Sequence, residues 1–134
     1  MATTVPVQTK TKTMEERIAT LREKRATVEA GGGEKRVEKQ HSQGKMTARE
    51  RVAKLTDPNS FEELGAFAQH RATLFGMEGK DIPADGVVTG CGRIDGRVVH
   101  LASQDFTSLG GAAGEVHNDK CVDAMKLSLK TGTP

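Results

Sequence analysis

The sequence predicts an α/β fold, because strand signals, a glycine-rich loop and a helical pattern follow one another from Asp85 to Thr131. Two short runs rich in β-branched residues flank Asp95-Gly96. This pattern is typical of a β-hairpin, since a type I′ turn needs positive φ at both central residues. The second run ends in polar residues and leads through Gly110-Gly111 into the helical pattern. A strand, a glycine loop and a helix in this order often build a ligand site.

The chain divides into three expected segments. Residues 1–13 are rich in Thr and Lys and are expected to be a disordered tail. Residues 14–56 are expected to form a basic helical arm, and residues 57–134 to form the start of the folded domain. The strand, loop and helix of this last segment normally return to a parallel strand. Because no such strand follows, we expect the chain to end in the middle of a βαβ unit.

Helix starts and apolar stripes predict where the helices lie. Capping boxes begin at Thr13 and at Thr47, each with a Glu three residues later. The first helix ends at Gly31-Gly32-Gly33, and the last one ends near Thr131-Gly132. The apolar stripes expected to be buried are Met14, Ile18, Leu21 and Val28 in the first helix, Ala48, Val52 and Leu55 in the next, and Val116, Val122, Met125 and Leu129 in the last.

Between the arm and the hairpin, the signals are weaker. Ser60 and Glu63 are expected to cap a short helical turn after the Asp57-Pro58 turn. Loose alternation of apolar residues predicts a strand between Leu64 and Leu74. A loop is expected from Gly76 to Pro83.

The composition indicates a modest domain that does not bury much apolar surface by itself. Aromatic residues make up only 3% of the 134 residues, and Trp and Tyr are absent. Since aromatic side chains bury the most area, we expect some apolar surface to be covered by another polypeptide. Neither a membrane-spanning run nor a signal peptide is evident, and two cysteines do not make a disulfide framework. These features predict a soluble, cytoplasmic protein.

Positive charge is concentrated in the N-terminal half. Residues 1–54 hold 13 Lys and Arg against 7 Glu, a net charge of +6, whereas residues 55–134 have a net charge of −4. Lys39, Lys45 and Arg49 lie around an expected helix N-terminus, where backbone N–H groups also favour an anion. The alternative is a solvated helix face. Nucleic acid is disfavoured, because no aromatic side chains lie near the basic residues to stack on bases.

Other motifs fail on spacing. The glycines from Gly90 to Gly96 lie inside the hairpin and do not match a dinucleotide loop, and Gly44-Lys45 lacks the first glycine of a P-loop. His117 and Cys121 are four residues apart on a helix, but a zinc site would need further ligands, so no metal is predicted. The other histidines are expected to be hydrogen-bonded structural or surface residues.

Three stretches carry a resemblance to a known family. They read EAGGGEKRVEKQHSQGKMTARERV from Glu29, FGMEGKDIPADGVVTGCG from Phe75, and GRVVHLASQDFTSLGGAAGEVHN from Gly96. Together they resemble the N-terminal part of the carboxyltransferase (beta) subunit of biotin-dependent acyl-CoA carboxylases, the propionyl-CoA carboxylase and methylmalonyl-CoA carboxyltransferase family. The resemblance extends from about Glu15 to Pro134.

The resemblance implies a partial crotonase-like fold of ββα units, incomplete at the C-terminus. It implies an enzyme of the transferase or ligase class that moves a carboxyl group between carboxybiotin and propionyl-CoA or methylmalonyl-CoA. Biotin would be carried on a partner chain or domain. The implied partners are the remainder of the carboxyltransferase subunit, the biotin carboxylase and biotin carboxyl carrier components, and further copies in a hexamer.

The same resemblance suggests which residues lie near CoA. The family's oxyanion holes lie beyond Pro134, so no catalytic residue is assigned to this chain, and it is expected to be inactive alone. The candidate CoA-binding residues are Lys39, Lys45, Arg49, Ser103, Gln104, Asp105, Phe106, Gly110 and Gly111. Two alternatives stay open: a non-catalytic CoA-docking or subunit-assembly module, and a small basic nucleic-acid binder.

Overall fold

The computed structural model describes residues 12–134, so most of the expected tail at residues 1–13 lies outside the described residues. Four helices and three strands are present within residues 12–134. In chain order they are α1 (Met14–Glu29), α2 (Glu34–Ser42), α3 (Ala48–Leu55), β1 (Glu62–Leu64), β2 (Val87–Ile94), β3 (Arg97–Gln104) and α4 (Glu115–Thr131). Short 3₁₀ turns occupy Pro83–Gly86 and Leu109–Gly111.

The strands form one antiparallel sheet in the order β1-β2-β3. The predicted hairpin is confirmed, with Val87 opposite Gln104 and Ile94 opposite Arg97. Asp95 and Gly96 have φ values of 51° and 78°, as a type I′ turn requires. The Asp57 carboxylate accepts hydrogen bonds from their two backbone N–H groups, at 3.0 and 2.8 Å, and so ties the hairpin tip to the end of α3.

Both predicted capping boxes are present. The Thr13 and Thr47 side chains accept from the N–H groups of Glu16 and Glu50, and each Glu accepts from the capping N–H in return. Between α1 and α3, α2 forms in a polar stretch for which no separate helix was predicted. It begins with Glu34 and carries basic side chains in its last turn, which suits the helix dipole.

Two local predictions between residues 60 and 74 were wrong. β1 covers only Glu62–Leu64, and the chain from Gly65 to Leu74 forms turns and irregular structure. Glu63 lies in β1 and pairs with Arg49 instead of capping a helical turn. The alternation of apolar residues did not predict the strand here, because only the three residues of β1 form backbone pairs with β2.

The core is small and lies between α3 and the hairpin. Ala48, Val52 and Val88 are its buried centre, and Phe61 and Leu101 pack against it. Leu55, expected to be buried on α3, is exposed. This small core agrees with the low aromatic content of the sequence, which is 3%.

The predicted apolar faces of α1 and α4 are also largely wrong. On α1 only Val28 is buried, and on α4 only Val116 of the expected stripe is buried, while Leu129 is 83% exposed. The buried face of α4 consists of Val116, His117, Lys120 and Ala124. Two polar residues are buried because the turn before β2 offers them carbonyl acceptors, which the sequence pattern did not indicate. Within residues 12–134, no helix combines the length and apolar character needed to cross a bilayer.

Candidate functional site

The loop that follows β3 is anchored by its own buried side chains. Asp105 Oδ1 accepts hydrogen bonds from Thr107 N at 2.9 Å and from Thr107 Oγ1 at 2.6 Å. The Asp105 N–H donates to the Gly86 carbonyl at 2.8 Å. Asp105, Thr107 and Ser108 are buried, whereas Phe106 and Gly110 are exposed. The loop therefore uses one set of residues as anchors and presents the others at the surface.

The turn between α1 and α2 docks directly onto this loop. Gly32 N donates to Thr107 Oγ1 at 2.9 Å, and the Arg36 guanidinium reaches the Thr107 carbonyl at 3.4 Å. A Cβ on Gly32 would lie 1.9 Å from the Thr107 carbonyl oxygen, so only glycine permits this approach. Arg51 of α3 donates to the Gln104 carbonyl at 2.7 Å. These contacts join the basic arm to the loop.

A cleft of about 220 Å³ lies between α2 and the loop. Its lining residues are Arg36, Lys39, Gln40, Gln43, Phe106, Thr107 and Gly110. The cleft is lined by two cations, two primary amides and the side chain of Phe106, which is 58% exposed. Its lining holds no carboxylate. Cations bind phosphate, amides hydrogen-bond to polar edges, and an exposed aromatic ring stacks on a flat base.

The cleft brings together three of the nine candidate residues, Lys39, Phe106 and Gly110. Gly111 packs close by, since a Cβ on it would lie 3.0 Å from the Phe106 ring. Gln104 donates from Nε2 to the Gly111 carbonyl and so closes the loop. Asp105 is the buried anchor described above.

The remaining candidates lie apart from the cleft lining. Arg49 binds Glu63 through two hydrogen bonds of 2.7 and 3.0 Å, and the two side chains are only 27% and 17% exposed. Arg49 would have to leave this carboxylate to bind phosphate. Lys45 Nζ donates to Gln43 Oε1 at 3.1 Å, and Ser103 Oγ donates to the Ala48 carbonyl at 3.3 Å.

Sequence reasoning did not name Arg36, Gln40 and Gln43 as site residues, because it predicted no separate helix within this part of the helical arm. Once α2 is known, these residues and Lys39 recur every three or four positions and share one face. Helical spacing within the polar stretch was the available signal.

Two ionisable groups, Glu50 on α3 and Lys120 on α4, have shifted pKa values. The pKa of Glu50 is lowered, first by its hydrogen bond with His41 and then by that with the Thr47 backbone. The pKa of Lys120 is lowered from 10.5 to about 8, chiefly by burial. Within residues 12–134, no three His, Cys, Asp or Glu side chains are grouped to hold a metal ion, and His117 Nδ1 bonds to the Asp85 carbonyl at 3.0 Å.

Comparison with known proteins now identifies the family. The model of the carboxyl transferase domain matches residues 39–134, which include the hairpin, α4 and every residue of the cleft lining except Arg36. The chain belongs to the carboxyl transferase domain family. The family resemblance stated from the sequence is confirmed.

Curated relatives of the family match almost the whole chain. The methylmalonyl-CoA carboxyltransferase 12S subunit of Propionibacterium freudenreichii subsp. shermanii is 63% identical over 122 residues, which are 91% of this chain and 23% of the relative. The propionyl-CoA carboxylase beta chain of Roseobacter denitrificans is 47% identical over 121 residues, 90% of this chain and 24% of the relative. The chain thus spans about a quarter of the length of these relatives.

Solved structures of the family confirm the fold class. The crystal structure of the transcarboxylase 12S hexamer with methylmalonyl-coenzyme A and methylmalonic acid bound matches with a TM-score of 0.89 and 62% identity, over 92% of this chain and 24% of that one. A single-chain, multi-domain long-chain acyl-CoA carboxylase matches with a TM-score of 0.73 and 28% identity, over 92% of this chain and 13% of that one. The chain is therefore part of a crotonase-like domain. The family matches support transferase chemistry and do not support the ligase class.

Proposed function

We propose that this chain acts as the N-terminal portion of an acyl-CoA carboxyltransferase, which moves a carboxyl group between carboxybiotin and propionyl-CoA or methylmalonyl-CoA. The single observation that carries the CoA side of the proposal is the cleft between α2 and the loop after β3. Its two cations and exposed aromatic ring suit a phosphorylated purine ligand. The relatives named for methylmalonyl-CoA and propionyl-CoA support these acyl groups.

Within this proposal, the residues have different tasks. Lys39 and Arg36 neutralise phosphate charge, and Phe106 packs against the base. Asp105, Gln104 and Gly111 hold the loop in shape. The other candidates, Lys45, Arg49 and Ser103, lie outside the cleft lining. No residue of this chain is assigned to biotin or to the chemical step.

The proposed partners follow from the family. They are the remainder of a carboxyltransferase subunit, the biotin carboxylase and biotin carboxyl carrier components, and further copies of the subunit. A hexamer is the proposed assembly, since the transcarboxylase 12S subunit crystallised as one. Nucleic acid is not among the proposed partners. A cytoplasmic location is part of the proposal, and the two free cysteines, Cys91 and Cys121, support a reducing compartment.

A second candidate is a non-catalytic docking or subunit-assembly module. The observation that favours it is the apolar surface on two helices. The exposed residues are Met14, Ile18 and Leu21 on α1 and Val122, Met125 and Leu129 on α4. Apolar patches of this kind mark protein interfaces. An assembly module would change oligomeric state when these residues are altered and would leave the affinity for CoA unchanged.

The test uses the complete subunit in which this chain is the N-terminal portion. Arg36→Met and Lys39→Met are expected to raise KM for acyl-CoA about tenfold with little change in kcat, because charge-assisted hydrogen bonds to phosphate act equally in the ground and transition states. The matched control is Lys54→Met, which removes an exposed cation of α3 outside the cleft.

The outcomes separate the two candidates. The carboxyltransferase proposal is supported if the wild type transfers a carboxyl group to propionyl-CoA or from methylmalonyl-CoA and if KM changes only in the two cleft variants. Absence of carboxyl transfer with every acyl-CoA refutes it. If the subunit is active but all three variants have the same KM, the cleft is not the phosphate site.

A further inference from the structure

The turn that precedes β2 is held in an unusual backbone conformation. Ala84, Asp85 and Gly86 all have positive φ, at 54°, 47° and 69°. Left-handed backbone costs free energy in residues with a Cβ, and two of these three are not glycine. Both Ala84 and Asp85 are also buried. Such a turn persists only where surrounding contacts hold it.

Helix α4 supplies those contacts from its first two turns. Lys120 is only 7% exposed, and its Nζ donates to the carbonyls of Ala84 at 2.8 Å and Val87 at 2.5 Å. The neighbouring His117 forms a hydrogen bond from its ring Nδ1 to the Asp85 carbonyl. The backbone N–H of His117 donates to the Asp85 carboxylate at 2.7 Å. The amine of Lys120 thus bridges both ends of the turn.

The Lys120 side chain is also packed along its length. A Cβ on Gly65 would lie 3.1 Å from Lys120 Cε and 3.5 Å from Cδ, so the turn after β1 covers the stem. Glu63 and Asp85 face the ammonium as negative charges, and Arg49 faces it as a positive one. A buried lysine whose ammonium donates to backbone carbonyls holds those carbonyls in place. Lys120 has no other task in the proposed function.

The turn at residues 84–86 supports the loop after β3, which lines the cleft. The Gly86 carbonyl accepts the N–H of Asp105 at 2.8 Å, and a Cβ on Gly86 would lie 3.4 Å from Ser108 Cβ. Phe106 and Thr107, which line the cleft, lie between these two supported positions. A displacement of the turn would therefore move the aromatic wall of the cleft.

We propose that Lys120 is a positioning residue for the cleft: it holds the left-handed turn at Ala84–Gly86 and, through that turn, the loop that carries Phe106. This inference rests on the proposed binding of acyl-CoA in the cleft. Lys120 does not touch the ligand, so its replacement acts on the affinity through the shape of the loop.

The experiment measures CoA binding by titration calorimetry on the complete subunit, alongside KM and kcat for carboxyl transfer. Lys120→Met is expected to raise the Kd for CoA about tenfold, because it removes two charge-assisted hydrogen bonds that hold the turn. Lys126→Met is the matched control, since it removes an exposed lysine from the same helix. Its Kd should equal that of the wild type.

A rescue distinguishes positioning from general stability. Ala84→Gly removes the cost of positive φ at one of the two non-glycine residues, so the turn depends less on Lys120 for its conformation. Combined with Lys120→Met, it should restore part of the lost affinity for CoA. If Lys120→Met fails to fold, Lys120→Gln, which keeps a donor, takes its place in the same comparison.

Two results would overturn the inference. One is a folded Lys120→Met subunit that binds CoA as tightly as the wild type, and the other is a double variant that binds as weakly as Lys120→Met alone. In both cases a wild type that binds CoA and transfers carboxyl groups leaves the proposed function standing. A wild type that binds no CoA and transfers no carboxyl group refutes the proposed function itself.

Discussion

Replacing Gly32 with Ala tests the contact that joins the helical arm to the candidate site. Gly32 is not among the glycines with positive φ, so the effect of an added Cβ comes from the lack of space. The added Cβ would lie 1.9 Å from the carbonyl oxygen and 2.4 Å from the carbonyl carbon of Thr107, whereas real Cβ contacts essentially never fall below 3.0 Å. The two segments must therefore separate by about 1 Å or more.

The magnitude follows from what this separation disrupts. Overpacking a close contact costs about 1–3 kcal/mol, and loss of the hydrogen bond from Gly32 N to Thr107 Oγ1 costs about 1 kcal/mol more. Gly32→Ala is thus expected to lower the free energy of unfolding of the full chain by about 2–4 kcal/mol. Because Thr107 and Arg36 line the cleft, the affinity for acyl-CoA should fall as well.

Urea unfolding of the full chain measures the first effect, with an unchanged m value as the sign that only stability changed. Gly114→Ala is the control: its φ is −105°, and its Cβ would lie 3.4 Å from Asp85 Oδ2, an ordinary van der Waals distance. It should cost less than about 1 kcal/mol. If Gly32→Ala costs no more than this control, the close approach of the arm to Thr107 is not a feature of the folded protein.

Three further predictions concern buried or half-buried polar groups. Ser108 Oγ has no hydrogen-bond partner within the described part of the chain, so Ser108→Ala should raise the free energy of unfolding by about 1 kcal/mol; a loss of stability would mean that the hydroxyl is satisfied. Glu63→Gln should lower the free energy of unfolding, measured in urea, by about 2 kcal/mol, because Arg49 is left without its carboxylate. An equal loss in Arg49→Met and in the double variant would confirm that the two side chains act as a pair. Burial lowers the pKa of Lys120 from 10.5 to about 8, so between these pH values the unfolded chain holds a proton that the folded chain has lost, and stability rises with pH. The wild type should therefore gain up to about 3 kcal/mol relative to Lys120→Met between about pH 7.5 and 10.5, and parallel pH profiles would contradict the shift.

Much of the local structure could be predicted because its causes lie close together in the sequence. The Asp95-Gly96 turn, the two Thr caps and the end of α4 at Gly132 each depend on a few neighbouring residues. The family could also be named from three short stretches. In the candidate site, Lys39 was named from charge and position, and Phe106 and Gly110 from the family resemblance. The three residues line one cleft, and their contact with CoA stays a prediction.

The tertiary structure decided which faces are buried and which charges are free. Lys120 is buried, against the apolar pattern, because its amine binds the carbonyls of a left-handed turn more than 30 residues away, whereas Leu129 of the expected stripe is exposed. Arg49 was expected to face an anion, but it lies opposite Glu63, whose position depends on the pairing of β1 with β2. Hydrogen-bond acceptors and ion partners from distant segments determine these outcomes, and a local periodicity carries no information about them.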